Sequence, residues 1–379
     1  MSAPALTAST PNKEIRALTG LRGIAAVYVV MFHANGLHPF PEWVRPFIKH
    51  GYIAVDLFFL LSGFVMAMTY AGLFQQGFDL KNFKRFLLLR LARIYPLYLL
   101  MTLITAVTIT TVLSDTYRFG DDVLRALPYN ITMTHVWGLA YAIVPPSWSI
   151  STEWAAYLLF PVFIWLARWL PLRFALIGAG AAFGLLIAVA FGPHWMTLDY
   201  HLAGQLDIVH SYAPGTILRC LASFYIGLVA YRSKDYISWK WATPLVFAML
   251  CLLCFKATDL GLIVVFTALI MALSHDKGAV ARLLQTRLIY WLGVVSYALY
   301  LVHDLIQKIL LQAFPAWGFD FGISKMAWVF ISFALALAVA ALAHYGFEKP
   351  TRQWSRNLIK RLENGPAFFN RRPVRTPAE

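Results

Sequence analysis

The stretch LRGIAAVYVVMFHA, residues 21–34, carries two basic residues, Arg22 and His33, and no acid. Eleven steps at about 100° each make three turns plus about 20°, so both side chains leave a helix on one face. At a rise of 1.5 Å per residue they stand roughly 16 Å apart along the axis, about half of a bilayer's hydrocarbon core. An arginine fork suits phosphate oxygens, and a histidine can take and return a proton near neutral pH. Either residue alone reads as a snorkelling anchor or a satisfied buried donor. Two on one face point to a lined pathway.

Four other stretches hold comparable groups. RFLLLRLARIYP, residues 85–96, sets Arg90 and Arg93 at i and i+3, where they either anchor a helix end or join Arg22 at one depth. PPSWSISTEWAAY, residues 145–157, opens on two prolines that break the chain. Ser147 or Ser149 could cap the helix that follows, and Glu153 in its first turns is either a functional acid or a capping-box acid, one residue beyond the usual spacing from Ser149. GYIAVDLFFLLSGFVM, residues 51–66, brings Asp56 into an apolar run, where it could cap, pair with His33 or hold an arginine. VSYALYLVHD, residues 295–304, places Ser296, Tyr300 and His303 at i, i+4 and i+7, one polar stripe on a helix. That stripe is either a hydrogen-bonded seam or part of a ligand site. Glu348, in FEKPTR, is expected to pair with an arginine. No nucleophile elbow, Walker A loop or H-E-x-x-H is present, and His194, His201 and His210 lack metal-ligand spacing, so no metal is expected.

The elements that must position these groups are apolar. Of 379 residues, 60% are hydrophobic and 13% charged, with a mean hydropathy of +0.63. Soluble chains hold about 25% charged residues, so the expectation is an all-α polytopic membrane protein. No cleavable signal peptide is apparent at the start. About ten spans are expected, near 17–37, 52–73, 86–113, 149–170, 173–191, 216–234, 241–257, 259–275, 287–314 and 326–347. The stretch 122–135 is amphipathic and suits a surface position. Gly180 and Gly184 form a G-x-x-x-G step expected to pack helices. Cys220, Cys251 and Cys254 lie in apolar runs and read as small packing residues rather than redox groups. Residues 1–12 and 353–379 read as tails flanking one membrane domain, 13–352.

Charge orients this arrangement. With a cytoplasmic N-terminus, 21 of the 32 Lys and Arg fall on inner segments and seven on outer ones, and four lie within helices. That bias obeys the positive-inside rule and returns the C-terminus to the cytoplasm. It accounts for the net charge of +14 through topology and attraction to anionic membrane lipids, without nucleic acid.

Taken in order, the motifs resemble acyltransferase family 3, the integral-membrane group that includes O-antigen, exopolysaccharide and Nod-factor acyltransferases. The resemblance rests on Arg22-x10-His33, the Gly51–Phe64 run with Asp56, Arg90-x-x-Arg93 with Tyr95-Pro96, Ser147-Trp148-Ser149 with Glu153, Ser296-Tyr297 with His303, and Phe347-Glu348-x-Pro350. It covers about residues 13–352 and matches the members that stand alone, without an SGNH-type domain. It implies O-acyl transfer, most often of acetyl, from cytoplasmic acyl-coenzyme A (acyl-CoA) to an envelope glycan outside a bacterial inner (plasma) membrane. His33 matches the catalytic histidine, Glu153 the family's acid, and Arg22, Arg90 and Arg93 its functional arginines. Phosphates on the three arginines would leave the donor's long arm to run outward toward His33. Glu153 or Asp56 would orient the imidazole, and Ser296, Tyr300 and His303 would line the donor site. The competing readings are a transporter or flippase for a lipid-linked glycan or anion, and a non-catalytic scaffold.

Overall fold

A computed structural model describes residues 14–113, 120–198, 204–316, 322 and 324–364. The N-terminal tail, His201, Arg118 and residues 365–379 lie outside them. Among the described residues every regular element is helical. The main helices are α1 (Arg16–Leu37), α2 (Ala54–Tyr70), α3 (Leu80–Thr111), α4 (Gly120–Ile131), α5 (Trp148–Ile164), α6 (Leu172–Phe191) and α7 (Pro214–Ser233). They are followed by α8 (Ala242–Leu253), α9 (Asp259–Leu273), α10 (Gly278–Leu284), α11 (Arg287–Lys308), α12 (Lys325–Ala343) and α13 (Lys349–Asn364).

Helices occupy all ten expected positions, but eight segments are long and apolar enough to cross a bilayer, the first Arg16–Leu37 and the last Lys325–Glu363. The difference lies at 241–275. There the chain forms α8, of 12 residues, and α9, of 15 residues. At 1.5 Å per residue these are about 18 and 22 Å long, short of a core of about 30 Å. The pair α9 and α10 is bent by 88°. Counting that bent pair as one span would bring the total among the described residues to nine.

Two crossings set the frame, and both depend on glycine. α1 and α11 run parallel, and a Cβ on Gly293 would sit 1.9 Å from the Thr19 carbonyl oxygen. A Cβ on Gly23 would sit 2.4 Å from the Gly293 nitrogen. α2 crosses α7 in the same way, with Gly63 against the Phe224 carbonyl at 2.0 Å and Gly227 against that of Leu60 at 2.1 Å. In lipid, helices associate through such close packing rather than through the hydrophobic effect. The expected G-x-x-x-G step does not take part: Gly180 and Gly184 are exposed, with nothing within 4 Å. The glycine of α6 that packs is Gly178, against the Tyr225 hydroxyl.

Local signals explain the helix ends. The Asp79 carboxylate accepts from the Lys81 and Asn82 amides and starts α3, and Ser324 starts α12 through the Ala327 amide. Pro145-Pro146 leads into α5, but neither expected serine caps it. Ser147 makes no cap bond, and the Ser149 hydroxyl points back to the Pro146 carbonyl. The amphipathic stretch is α4, whose Val123 and Ala126 pack beside Ala106 of α3. α13 continues through residue 352 and docks on α3 by the Arg85–Glu363 ion pair at 3.0 Å. All three cysteines are free; Cys220 is buried, whereas Cys251 and Cys254 are exposed and pack little.

Candidate active site

The α1–α11 seam brings distant polar residues together in two places. Near the start of α1, the Arg22 guanidinium donates from Nε to Ser296 Oγ at 3.0 Å and from Nη2 to the Gly293 carbonyl at 2.8 Å. Both acceptors are neutral. Near the end of α1, His33 Nδ1 lies 2.9 Å from the Val29 carbonyl and 3.3 Å from His303 Nε2. His303 is fully buried, and its own Nδ1 lies 3.1 Å from the Leu299 carbonyl.

These contacts fix the tautomers. A carbonyl only accepts, so each Nδ1 carries the proton. His303 Nε2 is then a lone pair that accepts from His33 Nδ1–H, which is shared with Val29. The remaining nitrogen of His33, Nε2, is a lone pair with no protein partner among the described residues, on a side chain that is only partly buried. A neutral imidazole with its Nδ1–H held and its Nε2 open is a general base in waiting.

The stripe on α11 is satisfied across helix interfaces. Ser296 holds Arg22, Tyr300 donates to the Pro146 carbonyl at 2.9 Å and meets Ser149 Oγ at 2.9 Å, and His303 meets His33. Gln307 extends the stripe by one more step, donating to the Val30 carbonyl at 3.0 Å. The sequence reading passed over Gln307, although its i+11 position continues the same face.

Arg90 and Arg93 come from α3. Arg90 Nη2 donates to Tyr157 Oη at 2.6 Å, Tyr157 donates to Glu153 Oε1 at 2.5 Å, and Ser62 Oγ donates to that same oxygen. Glu153 therefore supports Arg90 through a tyrosine and makes no hydrogen bond to His33. The Arg90 Nε is buried and has no hydrogen-bond partner among the described residues. Arg93 donates to Glu348 Oε1 at 3.1 Å, and His344 holds the other carboxylate oxygen at 2.8 Å. Arg22 feels the charges of Arg90, Arg93 and Glu348, so the three arginines share one neighbourhood. Arg352 of α13 also faces Arg90, Arg93 and Glu348, and the sequence reading missed it. Its signal was the position one turn after Glu348.

Asp56 lies elsewhere. It is fully buried and bound by Arg219, itself fully buried, with Nε to Oδ1 at 2.8 Å and a further bond from Nη2. This pair ties α2 to α7, and Asp56 makes no hydrogen bond to His33. Of the three roles expected for it, holding an arginine is the one it has. Among the described residues no group of three or more His, Cys, Asp or Glu could hold a metal ion.

The arrangement thus joins an arginine-rich pocket and an open imidazole along one helix face, which suits a phosphate-bearing donor and proton transfer at its reactive end. Arg22, hydrogen-bonded to neutral acceptors, and Arg90, whose Nε has no hydrogen-bond partner among the described residues, both fit an anionic ligand.

The chain is similar to the acyltransferase MdmB of Streptomyces mycarofaciens, 28% identical over 365 residues, which cover 88% of this chain and 89% of that protein. A shorter match joins it to protein 2 in the picA locus of Rhizobium radiobacter, 39% identical over 80 residues, 19% of this chain and 37% of the relative. No solved structure matches significantly. A family model described as an acyltransferase domain matches residues 15–345, from the start of α1 to the end of α12. With eight bilayer-length helices beneath that match, the chain belongs to acyltransferase family 3 and is a membrane acyltransferase.

Proposed function

We propose that this acyltransferase moves an acyl group, acetyl in the simplest case, from cytoplasmic acyl-CoA to a hydroxyl of a lipid-linked or surface glycan outside a bacterial plasma membrane. The observation that carries the reading is the pairing of two unlike groups on α1. Arg22 has only neutral partners near one end, and His33 keeps an open Nε2 near the other. The excess of Lys and Arg on the segments that flank the Arg22 end supports a cytoplasmic donor.

In this reading Arg22, Arg90 and Arg93 bind the donor's phosphates, and its thin arm runs beside α1 toward His33. His33 Nε2 takes the proton of the acceptor hydroxyl as that oxygen attacks the thioester carbonyl. The C–S bond breaks, the new ester forms, and the imidazolium returns its proton to the departing thiolate. Val29 and His303 hold Nδ1–H throughout. They keep the ring in the productive tautomer and support the imidazolium, the task of the third member in a catalytic triad. Glu153 keeps Arg90 in place, and Asp56 keeps α2 on α7.

Purified protein in liposomes should release free CoA only when donor and acceptor are both present. Mass spectrometry of surface glycans should show O-acyl esters that vanish when the protein is removed. Glycan movement with no CoA released would replace the enzyme with a carrier.

A further inference from the structure

Arg352 makes no ion pair among the described residues. It stands four residues after Glu348 and is partly exposed, with no carboxylate at ion-pair distance among the described residues. Glu348 is already engaged, one oxygen on Arg93 and the other on His344. The charges facing Arg352 are Arg93 and Arg90 from α3, Arg356 on its own helix, and Glu348. Arg22 from α1 shares the Arg90, Arg93 and Glu348 neighbourhood. Five guanidiniums, those of Arg22, Arg90, Arg93, Arg352 and Arg356, outnumber the carboxylates beside them, Glu348 together with Glu14 near Arg22 and Glu153 near Arg90, and repel one another in a partly desolvated space. Something must hold α13 there against that repulsion. The Arg85–Glu363 ion pair at 3.0 Å does so near its far end, and Ile359 is buried between that pair and Arg352. The helix is thus pinned where it presents Arg352 to the other arginines. The buried Arg90 Nε, a donor with no acceptor among the described residues, is a second sign that a group is awaited. α13 lies beyond the matched residues 15–345.

We propose that α13 is a wall of the anion site and that Arg352 is its fourth guanidinium, so that the site takes a ligand with more than one phosphate group. Clustered forks of this kind suit a polyphosphate or a pyrophosphate with a separate monophosphate, the chemistry of a nucleotide-derived acyl carrier. This deepens the reading of the donor site and rests on it.

The test measures CoA binding to the full-length protein in phosphatidylcholine nanodiscs, for the wild type and for Arg352→Ala, Arg352→Lys and Arg22→Ala. The expected result is an affinity loss of about tenfold for Arg352→Ala, the worth of one charge-assisted hydrogen bond, with partial recovery in Arg352→Lys. In turnover the same loss should appear in the donor KM with kcat little changed. If Arg22→Ala weakens binding and Arg352→Ala does not, the proposal falls and the donor site stands. If neither weakens it, both fall. Nanodiscs containing phosphatidylglycerol separate the remaining source of phosphate. Should Arg352→Ala leave CoA binding intact and lower only the association with anionic lipid, the arginine serves a lipid headgroup and the proposal is wrong. Melting curves that match the wild type will exclude misfolding of Arg352→Ala, and Glu363→Gln, which frees the far end of α13, should reproduce part of the loss without touching the site.

Discussion

His33 Nδ1 and His303 Nε2 meet at 3.3 Å across two parallel helices, from positions 270 residues apart in the chain. In the proposed mechanism this contact gives His303 the task of positioning the His33 ring. His303→Ala is expected to lower kcat by about a hundredfold while the donor KM stays near its wild-type value. His303→Gln should recover part of the rate, because its amide oxygen can accept Nδ1–H. Steady-state kinetics on the two variants check this. A purely structural role would move KM and thermal stability together and allow no rescue by Gln.

The Asp56–Arg219 pair should behave as a strut. Removing one partner leaves a buried charge alone, a loss of about 3–5 kcal/mol. Asp56→Ala should therefore give little folded protein by size-exclusion chromatography, and Arg219→Leu added to it should restore yield. A folded Asp56→Ala with intact stability but no turnover would return Asp56 to the reaction.

Tyr157 links Arg90 to Glu153, and its hydroxyl both accepts and donates. Tyr157→Phe keeps the ring under the Arg90 guanidinium, 4.8 Å from carbon to centroid, and removes only the bonds. The donor KM should rise several-fold, about the worth of one hydrogen bond to a charged group, with kcat nearly unchanged.

Glycines on the α1–α11 seam should tolerate nothing larger. Gly293→Ala forces Thr19 away and disturbs the Arg22–Ser296 bond, at a cost of about 1–3 kcal/mol. Melting curves in detergent should show the loss, together with reduced donor binding. Gly180→Ala and Gly184→Ala, which face open space, should be close to neutral.

Much of this was legible in the sequence, and the boundary has a physical cause. Helical phase put Arg22 and His33 on one face and Ser296, Tyr300 and His303 on another, because a period of 3.6 is a property of one segment. The partners were not legible. Nothing in 21–34 says that His33 will meet His303 rather than Glu153 or Asp56, since that choice depends on how α1 and α11 cross. The crossing is set by Gly23 and Gly293, one on each helix, which form no G-x-x-x-G motif within one helix. The visible motif at Gly180 and Gly184 was the one that does not pack. At 241–275 the two expected spans form as helices, but they are 12 and 15 residues long, too short to count among the bilayer-length segments. Arg352 escaped notice because a basic residue after a last membrane helix reads as a topology anchor, and only the docking of α13 on α3 brings it to the other arginines.

The central claim is that His33 transfers protons for an acyl group passing from a donor on one side to a hydroxyl on the other. The most direct measurement uses proteoliposomes with acetyl-CoA on the face of the Arg22 end and the glycan acceptor on the opposite face. Free CoA is followed with a thiol reagent, and the acylated glycan by mass. The account predicts equal amounts of both products from the wild type, and a fall of about 10³-fold or more for folded His33→Ala. Unchanged turnover in folded His33→Ala, or acylated glycan only when donor and acceptor share one face, would contradict it.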